Sequence, residues 1–459
     1  MGENSIVDAL SALGLQHRTD PQTLATYGHD ESDQGDFAPQ VVVFASSTAD
    51  VQAVLRLCNE RRVPVTPVGA RTGKSGGSLP VKGGVSLSLE KMNQILELRP
   101  EDLTVVVQPG VILGDLMRAV EAKQLFYPPD PNSWETCSLG GNIAENAGGP
   151  RALKYGVTRD YVLGLEWVLP NGEVLRVGRR TTKGVVGYDL VSLFVGSEGT
   201  LGIATEITLK LLPKPATVMT ALLPFRSVLD AATAVGQVLT QGILPRALEL
   251  LDDVSIGAID GKGFTFPPGC GACLIAEIDG FSPDGVLAEL TRLAEICTES
   301  GALEALIAQD DSQREKLWAV RRLVSPALRA VKKFKFSEDI VVPRSRIPQA
   351  IERFKAVGAE LGLTVATYGH AGDGNLHTNV LYGGAHERPQ VELALAKIMQ
   401  ITVELGGTLS GEHGIGIAKT RFLSLEQSPS LISWQEKLKV FFDPQVILNP
   451  GKIFENHSK

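Results

Sequence analysis

The chain has 459 residues, a formal net charge of −8, and 43% hydrophobic and 21% charged residues. That length exceeds what one hydrophobic core holds, so two or three domains are expected. The acidic balance argues against a nucleic-acid partner, and no run of about 18 apolar residues is present to span a bilayer.

The start, Met-Gly-Glu-Asn-Ser, has neither the basic nor the apolar region of a secretory signal. Ile6 stands where an acylation motif after Gly2 needs Ser or Thr. Five Cys suggest a reducing compartment rather than a disulfide framework. Cys270 and Cys273 have redox-motif spacing but no thioredoxin-like context, and read as structural or incidental.

Ile6, Leu10 and Leu13 begin a helical pattern, followed by a polar, solvated stretch from His29 to Asp36. A strand at 41–44, an amphipathic helix at 48–62 (Val51, Val54, Leu55 and Cys58 on one face) and a strand at 63–68 make a β-α-β unit. That unit suits a parallel pair with a crossover. The loop after it carries Gly69, Gly73, Gly76 and Gly77, and such a loop can turn its amides inward around a pyrophosphate. Taken alone it fits neither the dinucleotide fingerprint nor a Walker loop. A strand at 103–107 and a helix at 112–125 follow. The segment 126–151 reads as a long irregular loop, and a loop of that length is uncommon unless functional. Its run from Leu139 to Gly149 is small, Gly-rich and amide-bearing, suited to a flat ligand pressed against backbone. Residues 161–177 read as a hairpin with Asn171-Gly172 as a type I′ turn. A third Gly cluster, 196–202, precedes a strand at 203–211.

Pro213-Lys-Pro215 marks a boundary. Beyond it strands at 218–224, 272–279 and 339–342 alternate with helices at 227–241, 283–300, 310–330, 347–361 and 391–405. This predicts an α+β domain: an antiparallel sheet with helices on one face. A helix at 434–442 and the segment 443–453 then return to the first domain. The expected division is 1–213, 214–425 and 426–459.

The most informative stretch is 368–380, Tyr-Gly-His-Ala-Gly-Asp-Gly-Asn-Leu-His-Thr-Asn-Val. Asp373-Gly374 is a turn signal between apolar runs, so it reads as strand, turn, strand. His370 and His377 fall on either side. Residues 410–416, Ser-Gly-Glu-His-Gly-Ile-Gly, add Glu412 and His413. Two His and a carboxylate form a common catalytic metal set with positions left open for substrate. The plain alternative is structural or exposed His residues, but three of the chain's seven His fall in these two stretches.

Three Gly clusters in this order, then His-x6-His, then Gly-Glu-His-Gly, resemble the flavin-dependent D-2-hydroxy-acid dehydrogenases (the D-lactate, glycolate and D-2-hydroxyglutarate group) of the vanillyl-alcohol-oxidase-type FAD fold. The resemblance runs from about Pro39 to Phe454. It implies an α+β architecture: a two-subdomain FAD-binding domain, an α+β cap with an antiparallel sheet, and non-covalent FAD. Phosphate-side contacts are implied at Val68, Gly69, Ala70, Arg71, Thr72, Gly73 and Ser78. Isoalloxazine and ribityl contacts are implied at Pro131, Leu139, Gly140, Gly141, Asn142, Asn146 and Gly149. Gly199 and Ile203 would close the site, with Asn449 and Lys452 as the C-terminal flavin contact. Ala70-Arg71 departs from the Gly-Gly or Gly-Asn of relatives, and Lys74 from an apolar residue; neither removes FAD. Cys137 lies near the second Gly cluster with no required role.

The resemblance further implies His370, His377 and Glu412 as ligands of a divalent metal, Zn before Mn or Fe. It makes His413 the base, and Asn379 a group reaching substrate. Arg321 would face the α-carboxylate. Ser325 stands one helical turn on, and Lys335 is a second anchor or an exposed helix-end charge. Metal chelation would acidify the substrate hydroxyl, His413 would take its proton, and hydride would pass to flavin N5. D-lactate leads as substrate, ahead of glycolate and D-2-hydroxyglutarate. The reduced flavin needs an acceptor: a quinone, a cytochrome or an electron-transfer flavoprotein. A homodimer or a complex with an iron–sulfur subunit is an open expectation. So is a cytoplasmic location, with peripheral contact at the inner membrane face. A flavin-free metal hydrolase, a non-catalytic flavin-binding subunit and a metal-independent NADPH reductase are the rival readings.

Overall fold

In the computed structural model, residues 5–32, 34–262 and 264–454 are described. The N-terminal Met1–Asn4, on which the signal and acylation readings rest, and Asp33 of the polar stretch lie outside them. The chain forms two compact units. The first contains Met1–Gly148, Val157–Lys214 and Glu412–Lys459, and the second Gly149–Gly156 and Pro215–Gly411.

The first unit holds two sheets. In one, strands Val41–Phe44, Val85–Ser88 and Val65–Val68 run parallel, with Val85–Ser88 in the middle. The two strands of the expected β-α-β unit are therefore not direct neighbours. The strand between them, Val-Ser-Leu-Ser, is too short and mixed to announce itself by period. Helix Thr48–Arg61 makes the crossover and buries Val51, Val54, Leu55 and Cys58. Burying each such side chain contributes about 1.5–3 kcal/mol. The Ser47 side chain accepts the Asp50 amide at its start, and Arg62 ends it in a left-handed conformation.

The second sheet is antiparallel, ordered Ile95–Arg99, Thr104–Val107, Ile203–Lys210, Val162–Val168, Val174–Gly178. Its last pair is the expected hairpin, but the turn is not type I′. That turn needs positive φ at both central residues. Only Gly172 has it, within a five-residue loop closed by the Leu169 amide on the Glu173 carbonyl.

The expected long loop is partly helix. Residues Leu139–Glu145 wind up behind Ser138, whose hydroxyl accepts the Gly141 amide. Two Gly in seven residues hid that helix. The C-terminal segment is stitched in by a bridge between Val65 and Leu448 and by buried Lys439. The Lys439 ammonium donates to Thr200 O, Leu448 O and Asp443 Oδ2 at 2.6–2.8 Å.

The second unit is built on a seven-stranded, wholly antiparallel sheet. Its order is Leu306–Ile307, Thr217–Phe225, Ala272–Gly280, Ala247–Asp252, Thr364–His370, Asn375–Tyr382, Phe334–Val341. Helices Asp253–Ile259 and Asp311–Val331 cover one face over Leu222, Leu251, Ile275, Tyr368 and Leu381. Every residue of Ala247–Asp252 is buried, so the other face is covered as well. Helices Val228–Thr240, Pro283–Glu299, Ile347–Leu361 and Arg388–Glu404 also pack on these strands. Helices on one face only was too simple a reading. The central strands read as continuous apolar runs because both faces are buried. The stretch Gly149–Gly156 belongs to this unit because Lys154 Nζ and Tyr155 Oη both bond Asp279, at 2.5 and 2.8 Å.

Candidate cofactor cavity and imidazole cluster

Each unit carries one part of the expected chemistry. In the first unit a cavity opens between the loop after Val65–Val68, the start of helix Leu139–Glu145, the third Gly cluster and Glu412-His413. Of the expected flavin contacts, Val68 to Gly73, Ser78, Pro131, Gly140 to Asn142, Gly199, Ile203 and Asn449 all line it.

Four expected contacts do not. Leu139 is fully buried, its amide spent on the Val111 carbonyl. Asn146 caps its helix at φ 55° and accepts the Arg159 amide. Gly149 falls in the second unit. Lys452 is buried, donating to Leu79 O at 2.5 Å, and burial pulls its pKa down to about 8.

Local backbone explains the loop's composition. Arg71 sits at φ 61°, a region that favours Gly or Asn. The guanidinium of this departure from relatives stacks on Tyr27, 4.4 Å from the ring centre. The other departure, Lys74, pairs with Glu31, so little net charge is added. A Cβ on Gly69 would lie 2.4 Å from Ser138 Oγ, so the loop passes where only Gly fits.

The polar furnishing suits a flavin dinucleotide. Asn142 Nδ2 and Asn449 Oδ1 line the cavity, are buried, and have no hydrogen-bond partner among the described residues. Buried polar atoms of this kind are costly unless a ligand satisfies them. Asn449 is itself fixed by its amide group donating to Gly77 O and Glu198 O at 3.0 and 2.8 Å.

Two carboxyls that the sequence reading passed over also line the cavity, Glu145 and Glu198. Glu198 accepts the amides of Ile415 and Gly416 at 2.8 and 2.6 Å, yet burial holds its pKa above the usual range. Burial pushes Glu145 well up, with the negative Glu198 and Asp30 adding to it. Folded Glu145 therefore keeps its proton to higher pH than the unfolded chain does. Its stability contribution is complete below the ordinary glutamate pKa of about 4.3 and is lost as pH rises through the folded value. Glu145→Gln is expected to melt higher than wild type at pH 8, with the gap shrinking towards pH 5. Melting curves giving the same gap at both values would remove Glu145 as the cause.

In the second unit the antiparallel register places the imidazoles. Tyr368 pairs opposite His377, and Gly374 (φ 91°) ends the turn between them. The His370 and His377 rings are 5.2 Å apart, centre to centre, nearly perpendicular. Glu249 lies across from His370 on the next strand, and its Oε1 bonds His370 Nδ1. Its Oε2 accepts Arg321 Nε at 2.6 Å. Burial alone would raise the Glu249 pKa, but His370 and Arg321 together hold it far below the usual carboxylate range.

Arg321 and Ser325 lie one turn apart on helix Asp311–Val331, and the Arg321 guanidinium stacks 4.5 Å over Tyr368. Lys335 is not a helix-end charge. It lies on strand Phe334–Val341, and its Nζ reaches Ser325 Oγ at 2.7 Å and Asn379 Oδ1 at 3.3 Å. So Arg321, Ser325, Lys335, Asn379, His370 and His377 form one connected neighbourhood. Glu412 and His413 follow Gly411 in the chain and line the first unit's cavity.

Glu249 is the residue that sequence reasoning missed. It sits inside Ala-Leu-Glu-Leu-Leu-Asp, and an acid in the middle of that mostly apolar strand, ahead of the Asp252 that ends it, was the available signal. Cys270 and Cys273 are unpaired with each other and belong to the second unit's core, with burial pushing both thiols up.

A Gly-walled, amide-rich cavity on one unit and a carboxylate-held imidazole pair beside two cations on the other define a flavin-linked oxidoreductase class. The chain belongs to the FAD-linked oxidases: "FAD linked oxidases, C-terminal domain" matches residues 214–453, and "FAD binding domain" matches 39–178. It is 42% identical over 436 residues to glycolate oxidase subunit GlcD of Bacillus subtilis, covering 94% of this chain and 93% of that one. It is 40% identical to D-lactate dehydrogenase of Anaerostipes hadrus (93% and 92% covered). It is 33% identical to D-2-hydroxyglutarate dehydrogenase of Stutzerimonas stutzeri (99% and 100% covered). Solved structures share the fold at lower identity. p-Cresol methylhydroxylase superposes with a TM-score of 0.80 at 18% identity, covering 96% of this chain and 95% of that one. 4-Ethylphenol oxidase from Gulosibacter chungangensis gives 0.76 at 20% identity (98% and 97% covered). The fold is the vanillyl-alcohol-oxidase type. No helix among the described residues is long and apolar enough to cross a membrane.

Proposed function

We propose that the protein oxidises a D-2-hydroxy acid, D-lactate first, to the 2-oxo acid. The observation that carries this reading is the grouping of Arg321, Lys335, Ser325 and Asn379 beside the His370–His377 pair. Two cations and short polar side chains next to two imidazoles suit a small hydroxy-carboxylate. The relatives named for D-lactate, glycolate and D-2-hydroxyglutarate point the same way.

The donor set fits a divalent metal. His370 spends Nδ1 on Glu249, which leaves Nε2 as the lone-pair donor, and His377 with Glu412 would complete two imidazoles and a carboxylate. When bound, FAD supplies the hydride acceptor and a divalent ion the polarisation of the hydroxyl oxygen.

The chain's own residues do the rest. Arg321 takes the substrate carboxylate through its terminal nitrogens, because Nε is held by Glu249 and the plane is fixed on Tyr368. Lys335, oriented by Ser325 and Asn379, offers a second positive contact. His413, at the cavity wall, removes the hydroxyl proton. The Lys335 arrangement also favours a second reading within the same chemistry. An extra substrate carboxylate would find a cation there, so D-2-hydroxyglutarate is tested alongside.

The reduced flavin then needs an acceptor, for which a quinone, a cytochrome or an electron-transfer flavoprotein qualifies. The relatives named as subunits support assembly with further chains. A cytoplasmic site, with contact at the inner membrane face, suits such an acceptor.

The test is anaerobic. Purified protein should be yellow and should bleach with D-lactate but not L-lactate. Bleaching by glycolate or D-2-hydroxyglutarate alone would move the substrate while keeping the reaction. A colourless protein that cannot take up FAD would overturn the reading and favour a hydrolase.

A further inference from the structure

The carboxylate of Glu249 is fully buried and has one oxygen on each of two functional groups. Its Oε1 meets His370 Nδ1, and its Oε2 meets Arg321 Nε at 2.6 Å. Arg321 is otherwise fixed by stacking on Tyr368, which sets its plane but not its rotation within that plane. His370 stands edge-on to His377, which restrains the ring but not the choice of tautomer. A carboxylate on Nδ1 selects the Nδ1–H tautomer and aims the opposite nitrogen.

We infer that Glu249 is a positioning residue shared by His370 and Arg321, so that the imidazole of the metal set and the anchor for the substrate carboxylate form one coupled unit. This rests on the reading above and deepens it. The physical link is charge sharing. Each oxygen of one carboxylate carries less charge when the other is engaged by a full cation. Whatever shares the positive charge of Arg321, such as a substrate carboxylate on its terminal nitrogens while Nε stays on Glu249, strengthens the hold of Glu249 on His370. A better-held Nδ1–H makes Nε2 a stronger donor. Coupling of this kind is reciprocal: metal at His370 and carboxylate at Arg321 must favour each other by the same factor. The arrangement also accounts for a carboxylate in the buried middle of this strand, where an unpaired charge would be strongly destabilising.

The experiment uses full-length, FAD-loaded protein and zinc as the probe, with affinity read by competition against a chromophoric chelator. Three variants are compared with wild type: Glu249→Gln, Arg321→Gln and the double variant. Glu249→Gln is expected to weaken zinc binding about 10–100-fold while FAD content stays at the wild-type level. Its KM for the hydroxy acid should rise as well, because Arg321 loses its guide. Arg321→Gln should tighten zinc binding by several-fold, and that effect should vanish when Glu249 is already Gln. A merely structural role gives a different pattern, with lower melting temperature and FAD content but unchanged zinc affinity in the folded fraction. That pattern, or strict additivity in the double variant, overturns the inference. Should Glu249→Gln not fold, Arg321→Gln alone decides, since unchanged zinc affinity there also overturns it. A wild type that takes up no zinc overturns the metal reading itself. A wild type no tighter than Glu249→Gln overturns only the role given to Glu249.

Discussion

His413→Ala is expected to leave a yellow, folded, metal-binding protein whose flavin is no longer reduced by the hydroxy acid at a useful rate. Removal of a positioned general base costs about 10²–10⁴ in rate. Two features make the experiment clean. His413 lines the cavity without belonging to the proposed ligand set, so metal content should hold. The backbone around it is fastened independently, because Glu198 accepts the Ile415 and Gly416 amides and Ser75 O accepts Ile417 N. Removing the imidazole therefore does not release the loop. Rapid-mixing absorbance at the flavin band is the measurement. Reduction within a few-fold of wild type would strip His413 of the role and turn attention to Glu145, whose raised pKa is the kind found at catalytic acids.

Much of this architecture is written in local signals. The Gly clusters announce close backbone approach, and the structure places them on the cavity wall where Gly69 has no room for a Cβ. The His-x6-His stretch announces a hairpin, and antiparallel register does bring the two rings together. What the sequence hides is pairing at a distance. Nothing local tells that Val85–Ser88 inserts between two strands already in hand, or that Glu249 meets residues more than 70 positions away. A carboxylate's partners are set by strand order, which a single chain does not reveal. The helix Leu139–Glu145 was lost for another reason. Gly and Asn lower its propensity, and tertiary packing of Leu139 and Ile143 restores it. Lys335 shows the same override: a run of Lys near a helix end reads as solvated, yet its strand carries it to Ser325 and Asn379.

Stripping divalent metal with a chelator is expected to keep the protein yellow and abolish flavin reduction by D-lactate, with zinc restoring it. The expected loss is about 10³-fold, corresponding to the several kcal/mol that a metal ion contributes to stabilising charge on a reacting oxygen. The prediction separates the two parts of the site. Neither His370 nor His377 lines the cavity, whose walls are mostly Gly loops, amides and Asn side chains of the first unit, with Glu412 the one proposed ligand among them. FAD should therefore survive chelation. Glu412→Gln should behave as the chelated wild type does and resist rescue by zinc, with elemental analysis giving the occupancy. Full occupancy in Glu412→Gln would remove it from the ligand set while leaving His370 and His377 in place. Undiminished reduction in fully chelated protein would do more. Activation of the hydroxyl would then fall to His413 and the cations Arg321 and Lys335, and Glu249 would be left as a guide for Arg321 alone. Loss of both colour and reduction on chelation would instead mean that metal also shapes the flavin cavity, through Glu412 on its wall.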